Sequence, residues 1–274
     1  MNSFFLSIPM TLGLLLSIGC NADGLTAQQQ ANLDNALDAY RTNETSTTIA
    51  QCNVLLQQEP SFTQRGFLKA RYLRALAHIR LKNVPAARRD IEQVLTALDD
   101  PMKFKFPNQA DDLEVKSRDT LGELDFQANN FESAKGHFEF VLKAIAPESQ
   151  PADHAAYRMG CIAQRQGRWS QADTYFQQLH YFNANSPMAV EAKRRSFAKT
   201  WCVQLGLYGN YANATAYAAR LTQAGWKARC VPLARQSKSV YALRVGQWNT
   251  YNEAKLQLPR LRTLERDAFI LPNR

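Results

Sequence analysis

At 274 residues, 45% of them apolar and with only 12 Gly and 11 Pro, the chain is too long to be one small module and carries enough apolar surface for one or two ordinary cores. Its net charge of +9 is lopsided: residues 1–200 hold 22 Lys and Arg against 21 Asp and Glu, whereas residues 201–274 hold 11 against 3. So basic a tail calls for an anionic partner, which leaves nucleic acid, an anionic lipid surface or an acidic glycan.

The chain opens with MNSFFLSIPMTLGLLLSIGC, whose single apolar run, Phe4 to Ile18, falls short of the roughly 20 residues a spanning helix needs. Small residues, Cys20 and the polar Asn21-Ala22-Asp23-Gly24 follow, a pattern that fits a secretory signal. Ser17-Ile18-Gly19-Cys20 resembles the lipobox of bacterial lipoproteins, with Ser17 where leucine is usual and no Lys or Arg before the apolar run. That resemblance implies removal of residues 1–19 and acylation of Cys20. It also implies that Asn21 suits a periplasmic, lipid-anchored protein of the outer membrane. A plain signal peptide with an incidental Cys20 is the alternative. An exported protein does not meet chromosomal DNA, so the basic tail is expected to face the cell wall and not nucleic acid. Four cysteines remain, Cys52, Cys161, Cys202 and Cys230, too sparse for a disulfide framework.

From Leu25 to about Thr200 the apolar residues recur at three and four, the period of amphipathic helices. Three segments share one spacing, in which a small residue is followed by Ala twelve positions later and a large apolar residue four after that: Ala75, Ala87, Ile91; Gly122, Ala134, Phe138; Gly160, Ala172, Phe176. The physical sense is a helix hairpin whose small residues let the two axes approach, with the later large residue expected to fill the gap to the next hairpin. Turn signals at Lys82-Asn83-Val84-Pro85, Ala128-Asn129-Asn130 and Arg165-Gln166-Gly167-Arg168 fall where hairpins need them. Leu121 to Pro147 and Met159 to Pro187 resemble tetratricopeptide repeats, with His78, Asp125 and Ala163 where the family has a tyrosine. Successive Ala positions lie 47 and 38 residues apart, against a family period of 34, because of inserts such as Pro101 to Gln109. A more degenerate hairpin, ANLDNALDAY with TTIAQCNVLLQQEP, is expected to lead the array and a helix over Met188 to Lys199 to cap it. The resemblance implies a protein partner; a mere spacer is the alternative.

After Thr200 the elements shorten. WCVQLGLY, WKARCVPLA, VYALRVG and DAFILP are expected strands, and NYANATAYAARLTQAG and NTYNEAKLQLPRL expected helices, the first ending at Gly225. The order βαββαβ is that of the ferredoxin-like α+β unit, in which both helices cover one face of the sheet. Alternation then sends Val203, Leu205, Leu243 and Val245 to the helices and Cys202, Gln204, Gly206, Ala242, Arg244 and Gly246 to the open face. Tyr208 and Trp248, ending their strands, are expected to edge that face, or else to cap the core. In the strand order 4-1-3-2, Cys202 and Cys230 lie two strands apart, roughly 10 Å, beyond disulfide reach.

Val203-Gln204-Leu205-Gly206-Leu207-Tyr208, Asn213-Ala214, Leu221, Ala224-Gly225, Ala228, Tyr241 to Trp248, Glu253-Ala254 and Leu261 together resemble the SPOR domain. Leu207 replaces a small residue of the family pattern, and Gln247-Trp248 replaces Pro-Phe. The resemblance implies binding of peptidoglycan glycan strands stripped of their stem peptides, on the open sheet face. Glycan-binding residues are then expected to be Gln204, Tyr208, Arg244 and Trp248. Freeing a stem peptide leaves a lactyl carboxylate on each muramic acid, an anion for Arg244 with Arg229, Lys238 or Arg235. Tyr208 and Trp248 would stack on sugar faces, and Gln204 would exchange hydrogen bonds with N-acetyl or hydroxyl groups.

The four histidines, His78, His137, His154 and His180, fall singly on helical segments without metal-ligand spacing. Neither a phosphate-binding glycine loop nor a Gly-x-Ser-x-Gly or His-Glu-x-x-His motif occurs. The expectation is a multidomain, non-catalytic protein without metal or cofactor: signal 1–19, an all-α tetratricopeptide-like array over 20–200, and an α+β ferredoxin-like SPOR domain over 201–274. Its expected setting is the cell envelope, in division or wall remodelling. A scaffold whose SPOR-like domain does not bind glycan, and a recruiter of wall hydrolases, are the alternatives.

Overall fold

The computed structural model describes residues 23–60, 64–99, 111–235 and 238–273. Cys20, the leader and the insert Pro101 to Gln109 lie outside the described residues, as do the side chains of Arg235 and Lys238. Helices come first and a four-stranded sheet with two helices last. The chain divides into two compact units between residues 155 and 156, within a helix. The change of secondary structure near residue 200 is therefore not where compactness divides it.

Helices pair as hairpins: α1 (Ala27–Arg41) with α2 (Thr45–Leu56), α3 (Arg65–Arg80) with α4 (Val84–Leu98), and α5 (Asp112–Gln127) with α6 (Phe131–Ala144) in the first unit. In the same way α7 (Ala152–Arg165) meets α8 (Trp169–Phe182). One turn serves all four. Asn43, Lys82, Asn129 and Gly167 take positive φ, 66°, 60°, 64° and 75°. The N–H that follows each, on Glu44, Asn83, Asn130 and Arg168, donates 2.8 Å back to the carbonyl of Ala39, His78, Asp125 and Ala163. This is the helix-ending motif with a left-handed residue that satisfies otherwise orphaned carbonyls. The degenerate leading hairpin is thus a true repeat, built on the same turn as the others.

Within each hairpin the small residue meets the large one of the same hairpin, while Ile91 also reaches Leu121 and Leu124 of α5, and Phe138 stands edge-on to His154 of α7, so these two fill the gap to the next hairpin as well. A Cβ on Gly122 would lie 2.7 Å from the Phe138 ring, and one on Gly160 2.3 Å from the Phe176 ring. Where the chain has Ala75 instead of glycine, the smaller Ile91 packs in the same cluster. Volume is exchanged across the pair, as close-packed interiors require.

The capping helix is shorter than expected: α9 spans Pro187–Arg195, because Ser196 is extended and Phe197 takes φ +62°. The Phe197 N–H donates to Asp173 on α8 at 2.7 Å, and the chain then enters the sheet.

The sheet comprises β1 (Thr200–Tyr208), β2 (Ala228–Arg235), β3 (Lys238–Trp248) and β4 (Phe269–Asn273). Their order is β2-β3-β1-β4 and every pair is antiparallel, the expected ferredoxin-like arrangement. Helices α10 (Tyr211–Gln223) and α11 (Tyr251–Arg262) cover one face. Gly225, at φ +87°, ends α10 as its position suggests, with Trp226 N–H donating to Leu221. Val203, Leu205, Leu243 and Val245 form the core with Ala218, Leu221 and Leu261 of the two helices.

A second cluster joins this sheet to the hairpin α7–α8, within the same compact unit. Trp201, 3% exposed, packs against Trp169 of α8 at 5.6 Å and edge-on to Tyr251 of α11 at 5.2 Å. Its indole N–H donates to the Gln164 carbonyl on α7 at 3.1 Å, and the Trp169 N–H to Asn249 at 3.3 Å. Buried indoles need such partners.

In the first unit, His154 is buried among carboxylates. Its Nδ1 lies 2.9 Å from Asp119, and its Nε2 3.4 Å from Glu123. Spacing along the chain hid this group, because both partners come from α5. Burial works against the imidazolium, but Asp119 and then Glu123 outweigh it, and the pKa rises to about 9.

Two outcomes are expected. Gly122→Ala destabilises the first unit by about 1–3 kcal/mol through the clash with Phe138, and adding Phe138→Ile recovers part of the loss by recreating the Ala75–Ile91 pairing. Urea midpoints of the three proteins measure this. A raised pKa stabilises fully below the free histidine value and is lost as pH climbs through the folded one. Stability should therefore fall, by at most about 3 kcal/mol, as pH rises from about 6.5 past 9, and the fall should be shallower in His154→Gln. Unfolding titrations across that range test it.

Candidate glycan-binding face

On the face opposite α10 and α11, one row crosses all four strands. Arg229 on β2 opposes Arg244 on β3, Arg244 opposes Gln204 on β1, and Gln204 opposes Phe269 on β4. Neighbouring Ile270 packs into the helix-side core, so Phe269 points to the open face, where it is 47% exposed. Gln204 and Arg244 share this face as the alternation predicts, but Gln204 is only 7% exposed between its neighbours. Leu207, the departure from the family pattern, is exposed beside Ala242.

The two expected aromatics go elsewhere. Between Gln204 and Gly206 the ladder shifts register, so that Tyr208 pairs with Tyr241 and turns to the helix side. There it packs on the core, stands edge-on to Tyr217 of α10 at 6.2 Å, and donates its hydroxyl to Glu265 at 3.2 Å. A second shift separates the pairs Trp201–Trp248 and Val203–Val245, where Gly246 takes φ +82°. The Trp248 ring lies over Gly246, 2.1 Å from where a Cβ would be, and belongs to the Trp201 cluster. Both shifts are bulges, in which one extra residue reverses the side on which everything beyond it falls. Gly206 inside WCVQLGLY and Gly246 at the end of VYALRVG were the available warnings. Phe269 was missed because the parity of DAFILP is decided only by its pairing.

The strands carry no Asp or Glu, against Arg229, Arg235, Lys238 and Arg244. Arg244 has no ion pair among the described residues, and its Nε, shielded from solvent, has no hydrogen-bond partner. Burial, then the like charge of Arg229, push its pKa down, with Cys202 opposing. Cys202 is itself fully buried on this face, and burial raises its thiol to about 11 despite Arg244 and Arg229, so it stays protonated. It forms no disulfide with Cys230, from which β3 separates it and which falls on the helix side of β2.

The first unit offers a different kind of surface. A shallow recess lies between the first helices of the three hairpins of this unit. Leu37, Leu73 and Leu113 floor it, and Arg65, Lys69 and Lys116 edge it. Among the described residues no group of His, Cys, Asp and Glu is arranged to hold a metal, and no helix is long and apolar enough to cross a membrane.

Among solved structures the chain is similar to MamA, at 12% identity and a TM-score of 0.45, covering 57% of this chain and 78% of that one. It is also similar to a tetratricopeptide repeat protein from Parabacteroides merdae ATCC 43184, at 11% identity and 0.47, covering 61% and 58%. PilW, a widely conserved type IV pilus biogenesis factor, is similar at 16% and 0.47, covering 62% and 70%. No protein of curated function matches the chain. Residues 198–272 match the SPOR domain family, over the whole of the four-stranded sheet and its two helices. The C-terminal part of the chain, with its bulged sheet and basic open face, is a SPOR domain.

Proposed function

We propose that the protein is a non-catalytic anchor of the bacterial envelope that binds peptidoglycan glycan strands on the open face of its SPOR domain and a protein partner on its helical repeats. A SPOR domain implies peptidoglycan binding, and the observation that carries the finer reading is the row Phe269, Gln204, Arg244, Arg229. It offers an aromatic face, an amide and two guanidinium groups in one line, about 14 Å long at 4.8 Å per strand. A sugar polymer with N-acetyl groups and carboxylates presents the matching set: apolar ring faces, amide hydrogen-bonding groups and anions. Strands stripped of stem peptides are the substrate, because only they expose the lactyl carboxylate on the ring itself. Phe269 takes the stacking role that sequence assigned to Tyr208 and Trp248.

The recess between α1, α3 and α5 supports the protein-partner part of the reading, since an apolar floor with a charged edge suits a side chain of a docked segment. Acylation at Cys20 would hold the protein in the periplasm at the outer membrane, and tethering would raise the effective concentration of a weak glycan contact. A role in division or wall remodelling follows from the substrate, as denuded strands arise where amidases work. A scaffold acting through its repeats alone is the competing reading.

The test is cosedimentation of the chain from Asp23 onward with purified sacculi, before and after amidase digestion. Binding should rise with digestion and weaken about tenfold in Phe269→Ala and about three- to tenfold in Gln204→Ala. Equal sedimentation of all three proteins would remove the row from the binding surface, and none with either sacculus would leave the scaffold reading. Radiolabelled palmitate should label the full-length protein in its host and fail to label Cys20→Ala; labelling that persists in the variant would remove the anchor.

A further inference from the structure

Every first helix of a hairpin carries a small residue five positions before its last: Ala36, Ala75, Gly122 and Gly160 in α1, α3, α5 and α7. All four are buried. Over Gly122 and Gly160 lies the eighth residue of the second helix, Phe138 or Phe176, and Ile91 holds that place beside Ala75. Helix α9 keeps the register of a first helix. It ends two residues before a positive φ, at Phe197, just as the others end two before Asn43, Lys82, Asn129 and Gly167. Its Ala189 and Ala192 are buried, and the same positions of α5, Leu121 and Leu124, pack on the preceding hairpin. The counterpart of Gly160 is then Val190, which is 50% exposed, because the chain passes from α9 into β1 and supplies no second helix. A terminal repeat that meets only water needs a polar outer face. Here Val190 and, just past the helix end, Phe197 are open instead, the latter 60% exposed.

Charge accompanies the open side. Lys193 and Arg194, three and four residues after Val190 and so on its side of the helix, are both exposed. Glu191 is the one carboxylate of α9 against three cations, and it pairs with Arg194. Lys193 takes the place that Asp125 has in α5, and Asp125 meets Ser133 and His137, the third and seventh residues of α6. We propose that α9 is the first half of a hairpin completed by another protein, and that the occupant is an acidic amphipathic helix laid along α9 as α8 lies along α7. Glycine is matched by Phe and Ala75 by Ile91, so Val190 calls for a smaller residue again, alanine, at the eighth position of the occupant. Lys193 calls for a carboxylate at the third or seventh. This deepens the protein-partner half of the proposed function, on residues other than those of the recess.

A peptide with the sequence of α4, Val84 to Leu98, has Asp90 seventh and needs only Ile91→Ala to fit the pattern. Fluorescence anisotropy of that labelled peptide with the chain from Asp23 onward should show saturable binding. The peptide that keeps Ile91 should bind about tenfold more weakly, and one carrying Asp90→Lys with Ile91→Ala about three- to tenfold more weakly. Val190→Arg in the protein should weaken binding of the Ile91→Ala peptide at least about tenfold. Absence of binding, or equal binding of the three peptides, would overturn the proposal and leave the recess and the glycan readings standing. Wild-type affinity in Val190→Arg would put the peptide on another surface and overturn it too. A dimer of the wild type in sedimentation velocity that is lost in Val190→Arg would make a second copy the occupant in place of a partner helix. The three-peptide comparison uses one unaltered protein, so a folding defect in the variant does not decide it.

Discussion

The second compact unit depends on the covering of one indole. Trp201, second in β1, buries nearly all its surface, an apolar contribution of about 5 kcal/mol as an upper bound. Two helices on a small sheet do not enclose so large a group. Trp169 of α8, Tyr251 of α11 and Trp248 of β3 close around it, and the Gln164 carbonyl of α7 takes its N–H. The last hairpin of the repeats is thereby part of the same compact unit as the sheet. The side to which Trp201 turns also sets the parity of β1: with Trp201 and Val203 toward the helices, Cys202 and Gln204 have to face outward. The position of Gln204 in the outward row follows from the burial of a residue three positions before it.

The two bulges then divide the aromatics of the sheet by role. Each adds one residue and turns the remaining strand over, so Tyr208 and Trp248 become helix-side packing. What remains outward is asymmetric. Phe269, Leu271 and Leu207 make the β4–β1 side apolar, while Arg244 and Arg229 make the β3–β2 side cationic. The face is thereby polarised, apolar toward one edge and cationic toward the other.

The cations of the two units differ in how they are compensated. In the first, Arg65 meets Asp111, Lys69 meets Asp23, Arg74 meets Asp90 and Arg88 meets Asp125, with each carboxylate largely buried. These pairs are internal, and breaking one by removing a partner costs more than the pair contributes. On the sheet the strands supply no acid, and Arg244 is without an ion pair among the described residues. Four of the tail's eleven cations thus stand on strands that have no acid of their own.

Local patterns in the sequence determined a good deal. The three-and-four periodicity, the repeated small-residue spacing and the Asn and Gly turn signals were enough to place the hairpins, because a helix pair needs close approach at fixed intervals and a left-handed residue to end its first member. The order of short elements likewise determined the sheet topology, since few connections are compatible with βαββαβ. Gln204 and Arg244 were legible because both precede or lie between the bulges on strands of clear alternation. Tertiary structure alone decided the rest. The side taken by Tyr208 and Trp248 depends on register, which one inserted residue reverses. The face taken by Phe269 depends on a pairing 65 residues away in sequence. The charge of His154 depends on carboxylates from another helix, and the extent of the sheet's compact unit on an indole's need for cover from the hairpin before it. Each is a contact between distant segments, and no local spacing encodes it.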